Sequence, residues 1–206
     1  MSKIPSQYLV LATELSQYSH RVWERGYVVA NGGNLSIKIS ENMILSTPSM
    51  ESKCELKPED MVISDFSGQR VYGDKSASTE ILSHLAFYRA NSRAKAIIHT
   101  HPPYTCSFAF TDSLPYEYMC AESALWLGSV CVIPYIQPGS SLLANEIERL
   151  STESLVILMK NHGLMTAGET LKDAWWRCEV MENNCKISHL IMSRGDRATN
   201  INKIDE

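Results

Sequence analysis

The sequence contains no run of about 18 apolar residues, the length that a membrane-spanning helix requires. It also lacks a cluster of lysines and arginines, and its formal net charge is −4. We therefore expect neither insertion into a membrane nor general binding to nucleic acids. Neither G-x-x-x-x-G-K-[ST] nor G-x-G-x-x-G occurs, so nucleotide binding has no support.

The six cysteines are dispersed, and no two of them form a C-x-x-C pair. The first residues lack the apolar run of a signal peptide. Without a secretion signal, dispersed cysteines are typical of reduced, buried, small side chains. We therefore expect a cytoplasmic protein.

Helix and strand patterns are interleaved along the whole chain, without repeats, low-complexity tracts or linkers. The length suits one sizeable core, so residues 1–206 are predicted to form a single domain, with a frayed tail over 196–206. Because short turns join some strands and helices join others, we expect a mixed or antiparallel sheet with helices on both sides. The predicted strands are 35–39, 43–45, 61–63, 70–72, 95–99, 130–136 and 155–159, and the predicted helices are 11–22, 79–90, 122–127 and 140–150.

A last long helix is predicted to open near Thr170, with Asp173 as its capping-box partner. Trp175 and Trp176 are expected to anchor this helix on the sheet. Its predicted buried stripe consists of Leu171, Ala174, Cys178, Met181 and Cys185.

Two histidines, His99 and His101, follow an apolar run that predicts a strand. Side chains two apart on a strand point the same way, so the two imidazoles could hold one divalent metal ion. Pro102 and Pro103 prevent continuation as a paired strand, which places the histidines at a strand end. Taken alone, the pair could equally be two surface histidines.

A third histidine, His162, also follows an apolar strand pattern, and Gly163 permits a turn with positive φ that would aim its imidazole into a cleft. It could complete a three-imidazole zinc-type site, or it could be a hydrogen-bonded loop residue. Glu80 begins a predicted helix, where a carboxylate often acts only as a cap, and His84, one turn further on, could pair with it directly.

Three polar segments could receive an anion. The glycines of 31–34 let backbone N–H groups converge on a phosphate, and hydroxyl side chains follow at 46–49 and at 78–79. Each segment alone is weak, because a glycine turn beside a strand is usually only a turn.

Five short motifs, taken together and in order, resemble the class II aldolase/adducin family. They are N-G-G-N-L-S at 31–36, S-T-P-S at 46–49, S-T-E at 78–80 with His84, H-T-H-P at 99–102, and N-H-G-L at 161–164. The resemblance extends from about Gly26 to Glu182. It implies an α/β fold, a single three-layer α/β/α domain with a mainly antiparallel central sheet. It also implies a homotetramer with active sites near subunit interfaces.

The resemblance further implies one divalent metal ion per subunit, usually Zn²⁺, with Mn²⁺, Co²⁺ or Mg²⁺ as alternatives. By matching positions, His99, His101 and His162 would be ligands. Glu80 would be a ligand in the resting site and the catalytic acid/base once substrate displaces it. The substrate phosphate would be held by Gly33, Asn34, Ser49, Ser78 and Thr79.

The activity implied is that of a zinc-dependent lyase of carbohydrate metabolism, a sugar-phosphate aldolase resembling fuculose-1-phosphate aldolase. Such an enzyme cleaves a C–C bond through a metal-stabilised enediolate, so the partner is a small sugar phosphate. A dehydratase or decarboxylase on the same scaffold is the first alternative, followed by a 4-epimerase. A non-enzymatic, adducin-like interaction domain is disfavoured because a scaffold needs no metal ligands.

Three departures from the family pattern bear on specificity. Met50 stands where the aldolases commonly have glycine, which would reshape the phosphate pocket. The tyrosine that fuculose-phosphate aldolase uses has no clear match, since Tyr116 and Tyr118 are out of register. Glu122 falls near the glutamate that methylthioribulose-phosphate dehydratases use as a base, and it is the second candidate catalytic residue. It could equally cap the short helix that it begins.

Overall fold

Eight strands form the central sheet of the computed structural model, which describes residues 3–199 and 201. In chain order they are β1 (Asn34–Ser40), β2 (Met43–Ser46), β3 (Val62–Asp65), β4 (Arg70–Tyr72), β5 (Ala96–Thr100), β6 (Val130–Ile133), β7 (Val156–Met159) and β8 (Gly163–Gly168). Their order across the sheet is β4-β3-β2-β1-β5-β8-β7-β6. Only β6 and β7 pair in parallel among these strands, which confirms a mainly antiparallel sheet.

Helices cover both faces of this sheet. They are α1 (Leu9–Glu24), α2 (Ile81–Ala90), α3 (Pro103–Ala109), α4 (Ala121–Leu127), α5 (Ser141–Ser151) and α6 (Leu171–Ser193). Short 3₁₀ turns lie at Ser6–Tyr8 and Pro58–Asp60. One core cluster joins α1, α3, α4 and α6 to the sheet, and the other joins α2 and α5 to its opposite face. The predicted three-layer α/β/α architecture is therefore confirmed.

Strand β5 shows how the two cores arise from one alternating segment. Ala96 and Ile98 enter the first core cluster, and Ile97 enters the second. Because side chains alternate across a strand, His99 lies on the same face as Ile97, the face covered by α2 and α5. The strand thus delivers its histidine beneath the start of α2.

Two elements escaped the sequence patterns. Helix α3 begins at Pro103, where a ring without an N–H is harmless because the first turn of a helix has no partner for that donor. Strand β8 has glycine at both ends and few residues typical of strands, yet it is fully buried between β5 and β7. Strand β6 is shorter than the predicted 130–136, because Pro134 ends it at Ile133.

The start of α6 matches its prediction. The Thr170 hydroxyl accepts a hydrogen bond from the Asp173 N–H, and the Asp173 carboxylate accepts one from the Thr170 N–H, each at 3.1 Å. All five residues of the predicted stripe are buried. Trp175 packs against Tyr18, but the prediction for Trp176 was wrong, since its ring faces outward against Trp126.

The predicted frayed tail, 196–206, is described only at 196–199 and 201, and the rest lies outside the described residues. These five residues form no helix or strand, although the Ile201 N–H donates to the Tyr118 carbonyl at 2.8 Å. Within residues 3–199 and 201, no helix has both the length and the apolar character needed to span a bilayer.

Candidate active site

The end of β5 places two imidazoles side by side. His99 pairs with Asn34 of β1 and with Met165 of β8, and it is completely buried. Its Nδ1 lies 2.9 Å from the Leu164 carbonyl, to which it donates, so Nε2 is the ring nitrogen that faces the cluster. His101 follows the strand, and its backbone N–H donates to the Tyr27 carbonyl at 2.8 Å.

The turn between β7 and β8 carries His162 to the same place. The residue with positive φ is Asn161, at 55°, so the prediction that Gly163 supplies this conformation was wrong. Gly163 serves a different purpose: a Cβ there would overlap the His101 imidazole and lie 2.6 Å from the Thr100 carbonyl oxygen. Glycine lets the His162 turn pass directly against His101.

The three imidazoles form a cluster whose nitrogens fit one metal ion. A ligand nitrogen from each of His99, His101 and His162 lies within 4.8 Å of the others. The His99 and His101 Nε2 atoms are 3.2 Å apart. Two imidazole nitrogens on one tetrahedral zinc ion, with bonds of about 2.0–2.1 Å, are separated by about 3.3 Å. The Nδ1 atom of His162 is buried and has no hydrogen-bond partner among the described residues.

Glu80 joins this cluster through both carboxylate oxygens. Oε2 lies 3.1 Å from His99 Nε2, and Oε1 lies 3.0 Å from His162 Nε2. Although Glu80 occupies the N-cap position of α2, its side chain makes no capping hydrogen bond. The carboxylate is therefore directed into the histidine cluster instead of stabilising its own helix.

The charges of this cluster are strongly coupled. Burial alone would raise the pKa of Glu80, but His99 and His162 outweigh it and hold the pKa far below its usual range. Burial alone would lower the pKa of His99, but Glu80 outweighs it and the pKa is raised. Burial, together with His99 and His162, lowers the pKa of His101 to about 3. Glu80 is thus a carboxylate, and His101 is a neutral ring able to act as a metal ligand.

A series of buried hydrogen bonds also ends at Glu80. Asn34 Nδ2 donates to Glu80 Oε2 at 2.8 Å, so Asn34 Oδ1 accepts from His84 Nε2 at 2.5 Å. Burial lowers the pKa of His84 to about 3, so its ring is neutral and Nδ1 accepts from the Ser36 hydroxyl at 2.7 Å. The Ser36 oxygen then accepts from the Tyr88 hydroxyl at 2.7 Å. His84 therefore reaches Glu80 through Asn34 and not by the direct pairing that the helix spacing suggested.

The residues that the resemblance assigned to the phosphate line one pocket beside the histidines. Gly33, Asn34, Ser49, Ser78 and Thr79 all contribute to it, together with Glu80, His101 and His162. Gly33 has a φ of 70°, and a Cβ there would lie 2.8 Å from the His99 carbonyl oxygen. The position requires glycine because the turn presses on β5.

Met50 keeps the backbone shape expected of glycine at its position. Its φ is 61°, in the left-handed region that glycine favours. The side chain is 80% exposed, and its sulfur lies 3.1 Å from Asn31 Nδ2 at the same pocket. The substitution thus leaves the left-handed turn in place and adds a thioether to the pocket wall.

Glu122, Tyr116 and Tyr118 lie outside the histidine pocket. Glu122 is exposed and lines a separate cleft with Trp126 and Trp176. The Tyr116 hydroxyl donates to the Asp196 carbonyl, and the Tyr118 hydroxyl donates to the Gly128 carbonyl. None of the three lines the histidine pocket of a single chain, and the catalytic role of Glu122 stays a prediction.

Sequence reasoning overlooked three residues near the site. Ser36 lies within the N-G-G-N-L-S motif and Tyr88 lies on α2, but neither position by itself indicated a hydrogen-bonding role at the site. Lys53 is a lysine with an exposed fraction of only 1%, next to the S-T-P-S segment. Proximity to that motif was the one available signal, since nothing local distinguishes a buried lysine from a solvated one.

Comparison with known proteins identifies the class that this fold and site define. The model of the class II aldolase and adducin N-terminal domain matches residues 13–189. The chain therefore belongs to the class II aldolase/adducin family.

The relatives include two kinds of lyase. A 3-oxo-tetronate 4-phosphate decarboxylase from Haemophilus influenzae is 34% identical, with 83% of each chain covered. An L-fuculose phosphate aldolase from Methanococcus vannielii is 31% identical, covering 87% of this chain and 96% of that one. A solved L-fuculose 1-phosphate aldolase superposes with a TM-score of 0.86 at 27% identity, covering 97% of this chain and 92% of the other.

Proposed function

We propose that this protein is a metal-dependent sugar-phosphate aldolase, a lyase that cleaves a C–C bond beside a carbonyl group. One observation carries the proposal: a three-imidazole cluster, a carboxylate directed into it and a polar pocket suited to an anion share one cleft. A metal ion, a proton carrier and a phosphate-binding pocket are the three components that such a reaction needs.

In this proposal His99, His101 and His162 hold one divalent ion. Three imidazoles with a position left open are the ligand set of catalytic zinc sites, so Zn²⁺ is favoured over Mn²⁺, Co²⁺ or Mg²⁺. When bound, the ion would supply Lewis-acid polarisation of the substrate's carbonyl oxygen. The Leu164 carbonyl orients the His99 ring, because the Nδ1–H bond fixes which nitrogen faces the cluster.

Glu80 is proposed to act as the fourth ligand at rest and as the acid/base during turnover. Its carboxylate is deprotonated in the cluster, and it borders the pocket in which the substrate would lie. Asn34 donates to Oε2, and this hydrogen bond would keep that oxygen oriented once substrate displaces the carboxylate from the metal ion. That oxygen can take a proton from the substrate hydroxyl or return one to carbon.

The proposed phosphate contacts come from backbone and hydroxyl groups. Gly33, Ser49, Ser78 and Thr79 line the pocket, and the first of these lies in a left-handed turn. Asn34 has both ends of its amide engaged, with Glu80 and with His84, so only its second N–H remains for an anion.

Decarboxylation is the second candidate reaction, and the residues that line the pocket support it. Breaking a C–C bond to release an aldehyde requires a group that removes the proton of the hydroxyl that becomes the aldehyde oxygen, whereas a carboxylate departs as CO₂ without that proton transfer. Tyr116 and Tyr118 lie outside the pocket of the single chain, so no tyrosine of the described residues lines it. The H. influenzae relative is named for decarboxylation.

The decisive experiment offers the metal-loaded enzyme L-fuculose 1-phosphate and 3-oxo-tetronate 4-phosphate in parallel. We expect a three-carbon ketose phosphate with an aldehyde from the first, and CO₂ release from the second would establish the decarboxylase instead. Chelation should abolish either activity. Glu80→Gln should retain metal and lower kcat by roughly 10²–10⁴.

A matched control for this carboxylate-to-amide change is Glu24→Gln at the exposed end of α1, which should leave turnover unchanged. Unchanged turnover in a folded Glu80→Gln variant would disprove the acid/base role. If neither substrate reacts while metal is bound, the proposal that this protein is a lyase acting on one of these two sugar phosphates fails.

We also propose that residues 1–206 act as one domain within a cytoplasmic homotetramer whose active sites lie near subunit interfaces. Family membership supports this assembly, and light scattering coupled to gel filtration would measure it. A subunit interface is also where a neighbouring chain could bring Glu122 or a tyrosine to the pocket that the single chain leaves without them.

A further inference from the structure

The pocket that would receive the phosphate has no cation in its wall. The described residues that line it are glycines, asparagines, hydroxyl residues, Pro48, Met50, Glu80, His101 and His162, with no lysine or arginine among them. The Glu80 carboxylate even adds negative charge. A pocket with this lining binds a dianion poorly unless a positive charge lies behind it.

Lys53 lies directly behind that wall. Its Nζ donates to the Asn31 carbonyl at 3.2 Å and to the Glu51 carbonyl at 2.8 Å. Asn31 begins the glycine turn of the pocket, and Glu51 follows the Ser49–Met50 segment of the pocket. One ammonium group therefore bridges the backbones of both segments that would surround the anion.

No side-chain carboxylate neutralises this ammonium group in the described part of the chain. The Glu51 carboxylate binds Lys75 instead, at 2.8 Å. Nζ has three donors, and the two carbonyls are its only hydrogen-bond partners among the described residues. A lysine with 1% exposure and no ion pair destabilises a fold, so its presence calls for a compensating role.

Lys53 stays a cation inside the fold. Burial, only partly offset by Glu51, lowers the pKa of Lys53 to about 8, which leaves the group mostly charged at neutral pH. Its positive charge therefore lies directly behind the two backbone segments that line the pocket.

We propose that Lys53 is a positioning residue for the phosphate group of the substrate: its buried ammonium joins the 31–34 turn to the 49–51 segment and supplies the positive charge that the pocket wall lacks. The inference rests on the proposed phosphate-binding function and deepens it. The ligand class is a phosphate dianion, and the lysine acts on it through the backbone and through its field.

Inorganic phosphate is the probe, measured by isothermal titration against the metal-loaded protein. Lys53→Met keeps the apolar stem and removes the charge, and we expect its phosphate affinity to fall at least about tenfold with metal content unchanged. Lys53→Gln keeps a donor for the carbonyls without the charge, and it should lose a similar factor. Lys38→Met is the matched control, because it removes the charge of a largely buried lysine on the distal half of β1.

The outcomes separate the inference from the function on which it rests. If the wild type binds no phosphate, the assignment of this pocket to phosphate is wrong, and so is the proposed role of Lys53. If the wild type and both Lys53 variants bind equally, the pocket stands and the role of Lys53 is overturned. If only Lys53→Met loses affinity, the ammonium is a backbone bridge without an electrostatic part, which also overturns the proposal as stated. Should Lys53→Met lose cooperative unfolding, Lys53→Gln decides.

Discussion

Asn34 determines the direction of every hydrogen bond that reaches Glu80 from inside the fold. An amide donates from nitrogen and accepts at oxygen, so contact with a carboxylate at one end obliges His84 to donate at the other. The order Tyr88, Ser36, His84, Asn34, Glu80 thus has a single polarity in the neutral network. Such a network holds the carboxylate in one orientation, and a reversed Asn34 amide would leave two donors or two acceptors facing each other.

Two substitutions in this series separate orientation from stability. His84→Gln removes the ring that fixes Asn34, and we expect kcat to fall roughly tenfold with little change in KM, about 1.4 kcal/mol of transition-state stabilisation. Tyr88→Phe removes one hydroxyl at the far end and should cost about 1 kcal/mol of unfolding free energy while kcat is kept. Steady-state kinetics and urea denaturation of both variants make the comparison.

If His84→Gln and Tyr88→Phe lower stability equally and neither alters kcat, the series of hydrogen bonds has a structural role only.

Single residues at this site show what the sequence could and could not predict. His99, His101, His162 and Glu80 were found because their motifs place them at strand or helix ends. The roles of Ser36 and Tyr88 could not be predicted, since they are defined by partners distant in the chain.

Helices and strands whose interactions lie close together in the sequence could be predicted, whereas those held by distant segments could not. Helix α6 was predictable at its first residue because Thr170 and Asp173 satisfy each other's backbone N–H groups within one turn. Strand β8 was not predictable, because its residues have weak strand propensity and are held by β5 and β7 on either side. Helix α3 begins at a proline that, by local rules, also signals an end.

Thr170→Ala tests the cap of α6. The variant loses the hydroxyl that accepts from the Asp173 N–H, and we expect the free energy of unfolding to fall by about 1 kcal/mol. Thr13→Ala, at an exposed position inside α1, is the matched control and should cost nothing because alanine favours a helix interior. Urea denaturation at one protein concentration measures both, and equal stabilities would show that the cap is dispensable.

At the scale of the whole molecule, the proposed metal ion would join segments that are far apart in the chain. His99 and His101 leave the centre of the sheet, His162 comes from the β7–β8 turn, and Glu80 begins a helix on one face. An ion held by these groups binds the folded state and not the unfolded chain, so it stabilises the fold by mass action.

His101→Ala tests this linkage. Purified wild type should contain about one metal ion per chain, and the variant should contain far less. Chelation should lower the melting temperature of the wild type and leave that of the variant unaltered, since the ion is already missing. His189→Ala, a change at an exposed histidine of α6, is the control. Equal metal content in wild type and His101→Ala would disprove the site.

The order of strands across the sheet also has a consequence during synthesis on the ribosome. Strand β5 is complete once residue 100 has emerged, yet its second neighbour, β8, ends only at residue 168. Throughout the translation of the intervening residues, one edge of β5 has no partner strand, and an apolar unpaired edge readily joins other chains. We infer that nascent or truncated chains ending before β8 depend on chaperones. The exposed edge of β5 is covered only when β8, the last strand in the sequence, is added.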